Sequence, residues 1–291
     1  MSRLGEFYRS IARYCDRYGV SRRDRLRLLA HYPFFKLLWL SRYGSESSKR
    51  IANPLCRLFA RYELAHRAHP PTGRAGELRI AFRDADMASF QEIFWGEAYR
   101  PLLDLARIGS LVDLGGNTGM ASLFFLLQSP RLERLLIVEP NPDLIPVIRS
   151  NLRSFLDDPT VRIDLESYCV SDGATEWVEF SKSDDHRLSG IDAPRGVKTR
   201  VPNTRLSTLL DRHALEGADL LKMDIEGAEH AIIAAEPEVF SRFRSLCAEI
   251  HGPPSMRESF LDRLAHAGFT DLVRLPGGPV CETVFARRVS G

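Results

Sequence analysis

The period of the apolar positions along the chain changes near residue 79. Before this point, Leu4, Phe7 and Ile11 recur at the spacing of an amphipathic helix, and residues 4–43 are predicted to be helical. After it, short apolar or alternating runs are separated by segments with helical spacing. Alternating strands and helices predict an α/β domain built on a doubly wound, mostly parallel sheet.

The predicted strands share β-type runs bounded by turn residues. They lie at 78–83, 111–115, 134–140, 161–170, 175–180, 218–227, 245–251, 270–275 and 282–288. The last two are expected to form an antiparallel hairpin. Predicted helices lie within 86–108 (one or two), after Gly119, from a cap at Asn141, at 228–235, and in 253–269.

Charge divides the chain into a basic and an acidic part. Residues 1–74 hold 16 Lys and Arg against 5 Asp and Glu, and residues 75–291 hold 24 against 33. With the loose stretch HPPTGRAGE (69–77), this predicts a basic helical N-terminal extension (1–74) followed by one domain (75–291). The extension is interpreted as a solvated surface, as a dock for a membrane surface or anionic partner, or as a part that shapes the acceptor site.

Composition narrows the class of protein further. The five cysteines show no CxxC spacing, and no apolar run reaches the length of a membrane span, so a cytoplasmic protein is expected. No RNA-binding module is recognisable, and no nucleic-acid partner is predicted. A homo-oligomer stays open.

The segment DLGGNTG (113–119) is the strongest candidate for a ligand site. It follows an apolar strand, and its glycines allow close approach of the backbone to a ligand and a tight helix start. The dinucleotide fingerprint G-x-G-x-x-G does not fit, because position 117 is Asn. Glu139 ends the next strand, where its carboxylate could accept hydrogen bonds from the two hydroxyls of a ribose.

With these motifs the sequence resembles the class I S-adenosylmethionine-dependent methyltransferases, and more specifically the FkbM family. The resemblance rests on LVDLGGNTGMAS, IVEPNP, YCVSDG, LLKMDIEGAEHAII and AEIH, in that order, and covers about residues 79–288. It implies a seven-stranded, Rossmann-like sheet with an antiparallel C-terminal strand. It also implies S-adenosylmethionine as cofactor.

The resemblance implies which residues hold the cofactor. Asp113 and the glycine turn would hold the methionine moiety, Glu139 the ribose, and the segment after 161–170 the adenine. The full set is Asp113, Gly115, Gly116, Asn117, Thr118, Gly119, Glu139, Pro140, Asn141, Val170, Ser171, Asp172 and Asp224.

The candidate catalytic residues lie at two strand ends. Alternation places Asp224 and Glu226 on one side of their strand, and AEIH places Glu249 and His251 together at the end of the next strand. Two routes to an activated hydroxyl stay open. His251 is a general base assisted by Glu249 or Asp224, or Asp224 and Glu249 chelate a divalent ion such as Mg²⁺.

O-methylation of a carbohydrate, glycan or polyketide-type small molecule is the favoured function, the substrate class resting on family analogy. The alternatives are a nitrogen acceptor and a non-catalytic cofactor-binding or scaffold protein. Asp224 is followed by Ile-Glu-Gly, so the D-P-P-Y type of signature common among nucleobase N-methyltransferases is absent. The Asp224, Glu249 and His251 set argues against a protein without turnover.

Overall fold

A computed structural model describes residues 3–30, 37, 40, 45–59, 64–68, 78–82, 87–100, 103–182, 197–276 and 280–288. The chain divides into two compact units, Met1–Tyr99 and Arg100–Gly291. The domain boundary predicted after residue 74 stays a prediction, because residues 69–77 lie outside the described ranges. Most of the apolar segment 32–44 and the polar loop 183–196 also lie outside them.

The first unit is helical with a small hairpin of strands. Its elements are α1 (Arg3–Arg17), α2 (Arg22–Ala30), α3 (Glu46–Phe59), β1 (Leu64–Ala68), β2 (Leu78–Phe82), α4 (Met87–Phe90) and a π-helical turn (Gln91–Trp95). The predicted strand at 78–83 is confirmed, but it pairs antiparallel with β1, a strand that the pattern did not reveal.

Aromatic packing organises the first unit. Tyr14 of α1 and Tyr18, which follows this helix, contact Phe90 and Phe94, with ring centroids 5.4 to 6.1 Å apart. Within residues 4–30 the predicted helical structure is confirmed as two helices, α1 and α2, because the chain turns between them at Gly19 with φ +58. A positive φ is accessible to glycine at little cost and interrupts helical geometry.

The second unit is an α/β unit. Its strands are β3 (Ser110–Leu114), β4 (Arg134–Val138), β5 (Arg162–Glu166), β6 (Cys169–Val170), β7 (Trp177–Lys182), β8 (Val197–Thr204), β9 (Ala218–Met223), β10 (Phe243–His251), β11 (Phe269–Pro276) and β12 (Cys281–Arg288). Its helices are α5 (Met120–Gln128), α6 (Ile145–Leu156), α7 (Leu206–Arg212), α8 (Glu229–Ala235) and α9 (Pro254–His266), with 3₁₀ turns at Leu105–Arg107 and Pro237–Arg242.

The main sheet has seven strands in the order β11-β12-β10-β9-β3-β4-β5. Among the described strands of this sheet, β12 alone runs opposite to the direction that the other six share. The chain leaves β3 towards β4 and β5 and returns to β9 on the other side of β3. The order therefore reverses between β3 and β9, and the carboxyl ends of these strands form the crevice in which such sheets bind ligands.

Burial explains why the apolar pattern predicts the central strands and α5 of this unit. The last four residues of β3 and of β4 are buried, and every residue of α5 is buried as well. Strands covered on both faces carry continuous apolar runs, and a helix buried on all sides is apolar around its circumference.

Several predicted elements differ from the structure. The single strand predicted at 161–170 is two strands. β5 belongs to the main sheet, and β6 pairs with β8 in a separate sheet of order β6-β8-β7. β8 was not predicted, because its sequence VKTRVPNT is polar and contains a proline.

Other differences concern helices. α6 begins at Ile145 rather than directly after Asn141, because the Asn141 carbonyl first accepts from Leu144 N and closes a separate turn. α7 was not predicted, and the helices expected within 86–108 are reduced to α4 with its π turn and one 3₁₀ turn. Among the helices that the structure describes, none has the length and apolar character needed to cross a membrane.

Candidate active site

The glycine turn after β3 is packed so tightly that side chains are excluded. Gly115 and Gly116 donate to Val138 O at 2.9 and 3.0 Å, which fixes the turn against the end of β4. Gly115 has φ +76, and a Cβ on it would stand 1.8 Å from Asp224 O. The turn therefore requires glycine here both for its backbone angle and for its contact with the end of β9.

A buried ion pair between Asp113 and Lys222 stabilises this turn. Asp113 is 0% exposed, and its carboxylate lies 3.0 Å from Lys222 Nζ and accepts from Ser122 Oγ at 2.6 Å. Lys222 also donates to Gly115 O at 2.8 Å. Asp113 therefore holds the turn through Lys222, and its predicted contact with the cofactor stays a prediction.

The charge of Lys222 is secured by its partners. Burial alone lowers the pKa of Lys222, but the carboxylates of Asp113 and Asp224 outweigh this effect, so the pKa is raised above its ordinary value. The Lys222 side chain therefore stays protonated at neutral pH. A buried charge of this kind is tolerated only when it is paired.

Glu139 lies at the end of β4, beside the glycine turn. Its two carboxylate oxygens accept from Asn117 N at 2.7 Å and from Asn141 N at 2.8 Å. Only 5% of the residue is exposed, and burial raises the pKa of Glu139 to about 7, against the lowering effect of these hydrogen bonds. The carboxylate is thus held in one orientation next to the turn.

The remaining residues predicted to bind cofactor surround these groups. Thr118 is buried and its carbonyl accepts from Asn151, while Pro140 is half-buried. Ser171 is also buried and donates to Asn203 at 2.8 Å, and Asp172 accepts from Ala174 N. Val170 forms part of the apolar core. Roles for these residues stay predictions.

A second group of side chains, which we call the acid–histidine cluster, lies at the ends of β9 and β10. It consists of Asp224, Glu226, Glu229, Glu249 and His251. The His251 Nε2 atom lies 3.5 Å from Glu226 and 3.7 Å from Glu249. The structure therefore brings together all three predicted catalytic residues, Asp224, Glu249 and His251, with Glu226 beside them.

Glu229 is the residue that sequence reasoning missed in this cluster. It is 0% exposed at the start of α8, and its Oε1 accepts from both the backbone N of His251 at 2.6 Å and its Nδ1 at 3.0 Å. The orienting partner expected for His251 was Glu249 or Asp224, and the structure gives that contact to Glu229 instead. Its contact with His251 joins residues 22 positions apart in the sequence, which no local pattern reveals.

The cluster carries strongly shifted acidities. Burial raises the pKa of Asp224, and it raises that of Glu226 to about 8 with a further contribution from Asp224. The pKa of His251 is raised to about 9, because its contacts with Glu229 outweigh the lowering effect of burial. Shifted groups of this kind concentrate at functional sites.

Backbone geometry marks the same two places. Asn117 in the glycine turn has φ 49, and Glu226 after β9 has φ 54. Non-glycine residues in the left-handed region cost stability and persist where the surrounding structure requires them, often at functional sites. Asn117 in the glycine turn and Glu226 in the acid–histidine cluster therefore both adopt this uncommon backbone conformation.

The strand order and the glycine turn define a class of protein. A seven-stranded sheet with one antiparallel strand, a glycine turn after its central strand and an acid after the next strand are the features of a Rossmann-like class I methyltransferase. A family model described as the methyltransferase FkbM domain matches residues 113–270, more than half of the chain. The chain belongs to the FkbM methyltransferase family.

Two curated relatives are methyltransferases. The 2-O-methyltransferase NoeI of Sinorhizobium fredii is 29% identical over 156 residues, covering 48% of this chain and 62% of that protein. Methyltransferase sdnD of Sordaria araneosa is 26% identical over 223 residues, covering 64% and 82%. The matched segment thus spans less than two thirds of the NoeI protein.

Solved methyltransferase structures are similar to this chain only at a low level. Aeropyrum pernix fibrillarin, in complex with S-adenosyl-L-methionine, has a TM-score of 0.39 at 15% identity, covering 63% of this chain and 68% of that one. An O-methyltransferase family protein from Burkholderia thailandensis has a TM-score of 0.40 at 13% identity, covering 72% and 60%. Likeness at this level does not bear on individual residues or on substrate.

Proposed function

We propose that this chain is an S-adenosylmethionine-dependent O-methyltransferase that acts on a hydroxyl of a carbohydrate, glycan or polyketide-type small molecule. The observation that carries the proposal is the contact between the glycine turn and the end of β9, where a Cβ on Gly115 would meet Asp224 O at 1.8 Å. This contact puts a candidate cofactor site directly beside the acid–histidine cluster.

The glycine turn and Glu139 fit the proposed cofactor. Side chains are absent at Gly115 and Gly116, where added Cβ atoms would collide with Asp224 and Ile137, so backbone groups line the turn. We assign the methionine moiety to the turn and the ribose to Glu139, whose two oxygens are fixed by backbone donors. Each carboxylate oxygen retains a further lone pair for a hydroxyl.

The adenine end of the cofactor is assigned to Val170, Ser171 and Asp172, following the order of the motifs. Asp172 is half-buried, and its Oδ1 already closes a turn with Ala174 N at 3.0 Å. The second oxygen of this carboxylate is the one that we expect to accept from the adenine amino group.

When bound, S-adenosylmethionine supplies an electrophilic methyl group, so the protein mainly aligns the acceptor and removes its proton. We assign the acceptor hydroxyl to the place where Asp224, Glu249 and His251 lie together. With a pKa near 9, His251 is protonated at neutral pH and must first lose that proton to act as a base. Chelation of a divalent ion by Asp224 and Glu249 is the alternative means of activation.

The relatives support an oxygen acceptor. NoeI is named a 2-O-methyltransferase, and the region matched to it covers 48% of this chain. As part of the proposal, we transfer the oxygen acceptor of NoeI to this chain. The substrate class follows from analogy with the family. A role for residues 1–74 in shaping the acceptor site, or in meeting a membrane surface or anionic partner, stays a prediction.

Calorimetric titration tests the cofactor. S-adenosylmethionine and S-adenosylhomocysteine are titrated into wild type, Glu139→Ala and Glu176→Ala, the last being an exposed acid of the same unit. We expect Glu139→Ala to weaken binding at least ~10-fold, the scale of ~1.4 kcal/mol for a lost charged hydrogen bond, and Glu176→Ala to bind normally. Absence of binding to the wild type would refute the proposed function.

Transfer of a radiolabelled methyl group tests the acceptor. Glycosides, polyketide-type alcohols and amines are compared as acceptors, and labelled products are identified by NMR. We expect O-methyl products only. Labelling of amines alone would establish the nitrogen alternative. Cofactor binding without any transfer to these acceptors would favour a binding protein.

A further inference from the structure

Cys281 adds a sulfur ligand to the acid–histidine cluster. It lies opposite His251 in the antiparallel pairing of β10 with β12. Glu249 is on β10, two residues before His251. One ligand atom each of Glu249, His251 and Cys281 lies within 4.8 Å of the others. A second set, Asp224, Glu226 and His251, meets the same criterion and shares the histidine.

The orientation of His251 is that of a metal ligand. Its Nδ1 donates to the fully buried Glu229, and its backbone N donates to the same oxygen. This contact leaves Nε2 directed at Glu226 and Glu249. Metal-binding histidines almost always donate their second ring N–H to a carboxylate or carbonyl, which fixes the ring and the free nitrogen.

The distances from His251 Nε2 to Glu226 and Glu249 match those between ligands of one ion better than those of hydrogen bonds. Nε2 lies 3.5 Å from Glu226 Oε2 and 3.7 Å from Glu249 Oε1. Hydrogen bonds between such atoms span roughly 2.7–3.2 Å. Two atoms that each lie ~2.1 Å from a tetrahedral metal ion stand ~3.4 Å apart, close to the observed distances.

We propose that Glu249, His251 and Cys281, with Glu226 as the fourth donor, form a site for a divalent transition metal, and that Zn²⁺ is the ion these donors suit. The proposal deepens the proposed function, because it assigns the activating group at the same site. It changes the metal predicted from sequence, where Asp224 and Glu249 were expected to hold Mg²⁺.

The types of donor decide between these ions. Mg²⁺ prefers oxygen ligands in octahedral geometry and retains several waters. An imidazole nitrogen and a thiolate sulfur favour zinc and related transition metals. The side chains of Glu226, Glu249 and His251 are between 18% and 32% exposed, so an ion and an acceptor hydroxyl can reach the site from solvent.

Cobalt spectroscopy tests the site without any methyl transfer. Full-length protein is freed of metal with a chelator and titrated with Co²⁺, whose absorption spectrum reports both tetrahedral geometry and thiolate ligation. We expect one Co²⁺ per chain, an intense visible spectrum, and a near-ultraviolet sulfur-to-cobalt band. Zn²⁺ should displace Co²⁺ stoichiometrically, and millimolar Mg²⁺ should not.

Variants locate the ion. Cys281→Ser should abolish the sulfur band, and Cys169→Ser, a buried thiol outside the cluster, should keep it. Glu229→Gln should weaken Co²⁺ binding by roughly 10- to 100-fold with an unchanged sulfur band, as expected of a residue that positions a ligand. Thermal unfolding confirms that each variant is folded.

The two proposals fail separately. An unchanged cobalt spectrum in Cys281→Ser and His251→Ala, or displacement of Co²⁺ by equal concentrations of Mg²⁺, overturns the zinc site even when S-adenosylmethionine binds normally. Loss of S-adenosylmethionine binding in the wild type leaves the cobalt result intact and overturns the proposed function alone.

Discussion

The contact between the glycine turn and the end of β9 yields a matched pair of substitutions, Gly115→Ala and Gly227→Ala. Both glycines have a positive φ, +76 and +105 respectively. A Cβ on Gly115 would stand 1.8 Å from Asp224 O, whereas a Cβ on Gly227 would meet nothing within 4 Å. The two variants therefore share a backbone penalty and differ in the collision.

The expected magnitudes follow from these distances. Each alanine pays about 1–2 kcal/mol for the left-handed conformation. With alanine at position 115, the carbonyl oxygen of Asp224 must also move away by more than an ångström. This movement strains the nearby hydrogen bond that Asp224 N donates to Leu114 O at 3.1 Å. Overpacking of this kind costs about 1–3 kcal/mol and a lost hydrogen bond about 1 kcal/mol.

Urea unfolding followed by circular dichroism measures the difference. Gly115→Ala should lower the free energy of unfolding by about 3–6 kcal/mol and Gly227→Ala by about 1–2 kcal/mol. Calorimetry should show cofactor binding lost only in the first variant. Equal destabilisation of the two variants would refute the contact and, with it, the adjacency on which the proposed function depends.

Three further predictions concern charge. Lys222→Met should lower the free energy of unfolding by about 3–5 kcal/mol, because Asp113 would be left buried without its charged partner. The control Lys198→Met, at an exposed lysine, should change it by under about 0.5 kcal/mol. Equal effects of the two variants in urea unfolding would contradict the buried pair. Glu139 has a folded pKa of about 7 against an ordinary 4.5, so its ionisation penalty is full above pH 7 and is relieved as the pH falls towards 4.5. The wild type should therefore lose about 3 kcal/mol relative to Glu139→Gln between pH 4.5 and pH 8, and a pH-independent difference would refute the shift. In metal-depleted enzyme, kcat/KM should rise as the pH increases through about 9, because only neutral His251 accepts a proton, and a flat profile would exclude it as the base.

The parts of the fold that the sequence predicts most directly are the buried β3, β4 and α5. These elements carry continuous apolar runs, and such runs are visible without knowledge of their neighbours. The polar β8 is held by pairing with β7 and β6, contacts between residues distant in sequence. Its formation depends on partners that a local pattern does not contain.

The candidate site shows the same division. Glu139 and Asp224 were found because they end predicted strands, whose carboxyl ends meet at one edge of the sheet. Cys281 was missed because its proximity to His251 is set by the register of an antiparallel pair, which periodicity alone does not determine. Glu229 reaches His251 through the left-handed turn at Glu226 and Gly227.

Strand β9 connects the two halves of the site. Lys222 on this strand donates to Gly115 O and pairs with Asp113, so it fixes the glycine turn. Two residues later, Asp224 belongs to the acid–histidine cluster, and its backbone N donates to Leu114 O. Methyl transfer requires donor and acceptor to be aligned within a few tenths of an ångström, and a strand buried in mid-sheet is a rigid means of fixing that distance. In the proposed function, the single segment 221–227 therefore sets both the place of the methyl donor and the place of the group that activates its acceptor.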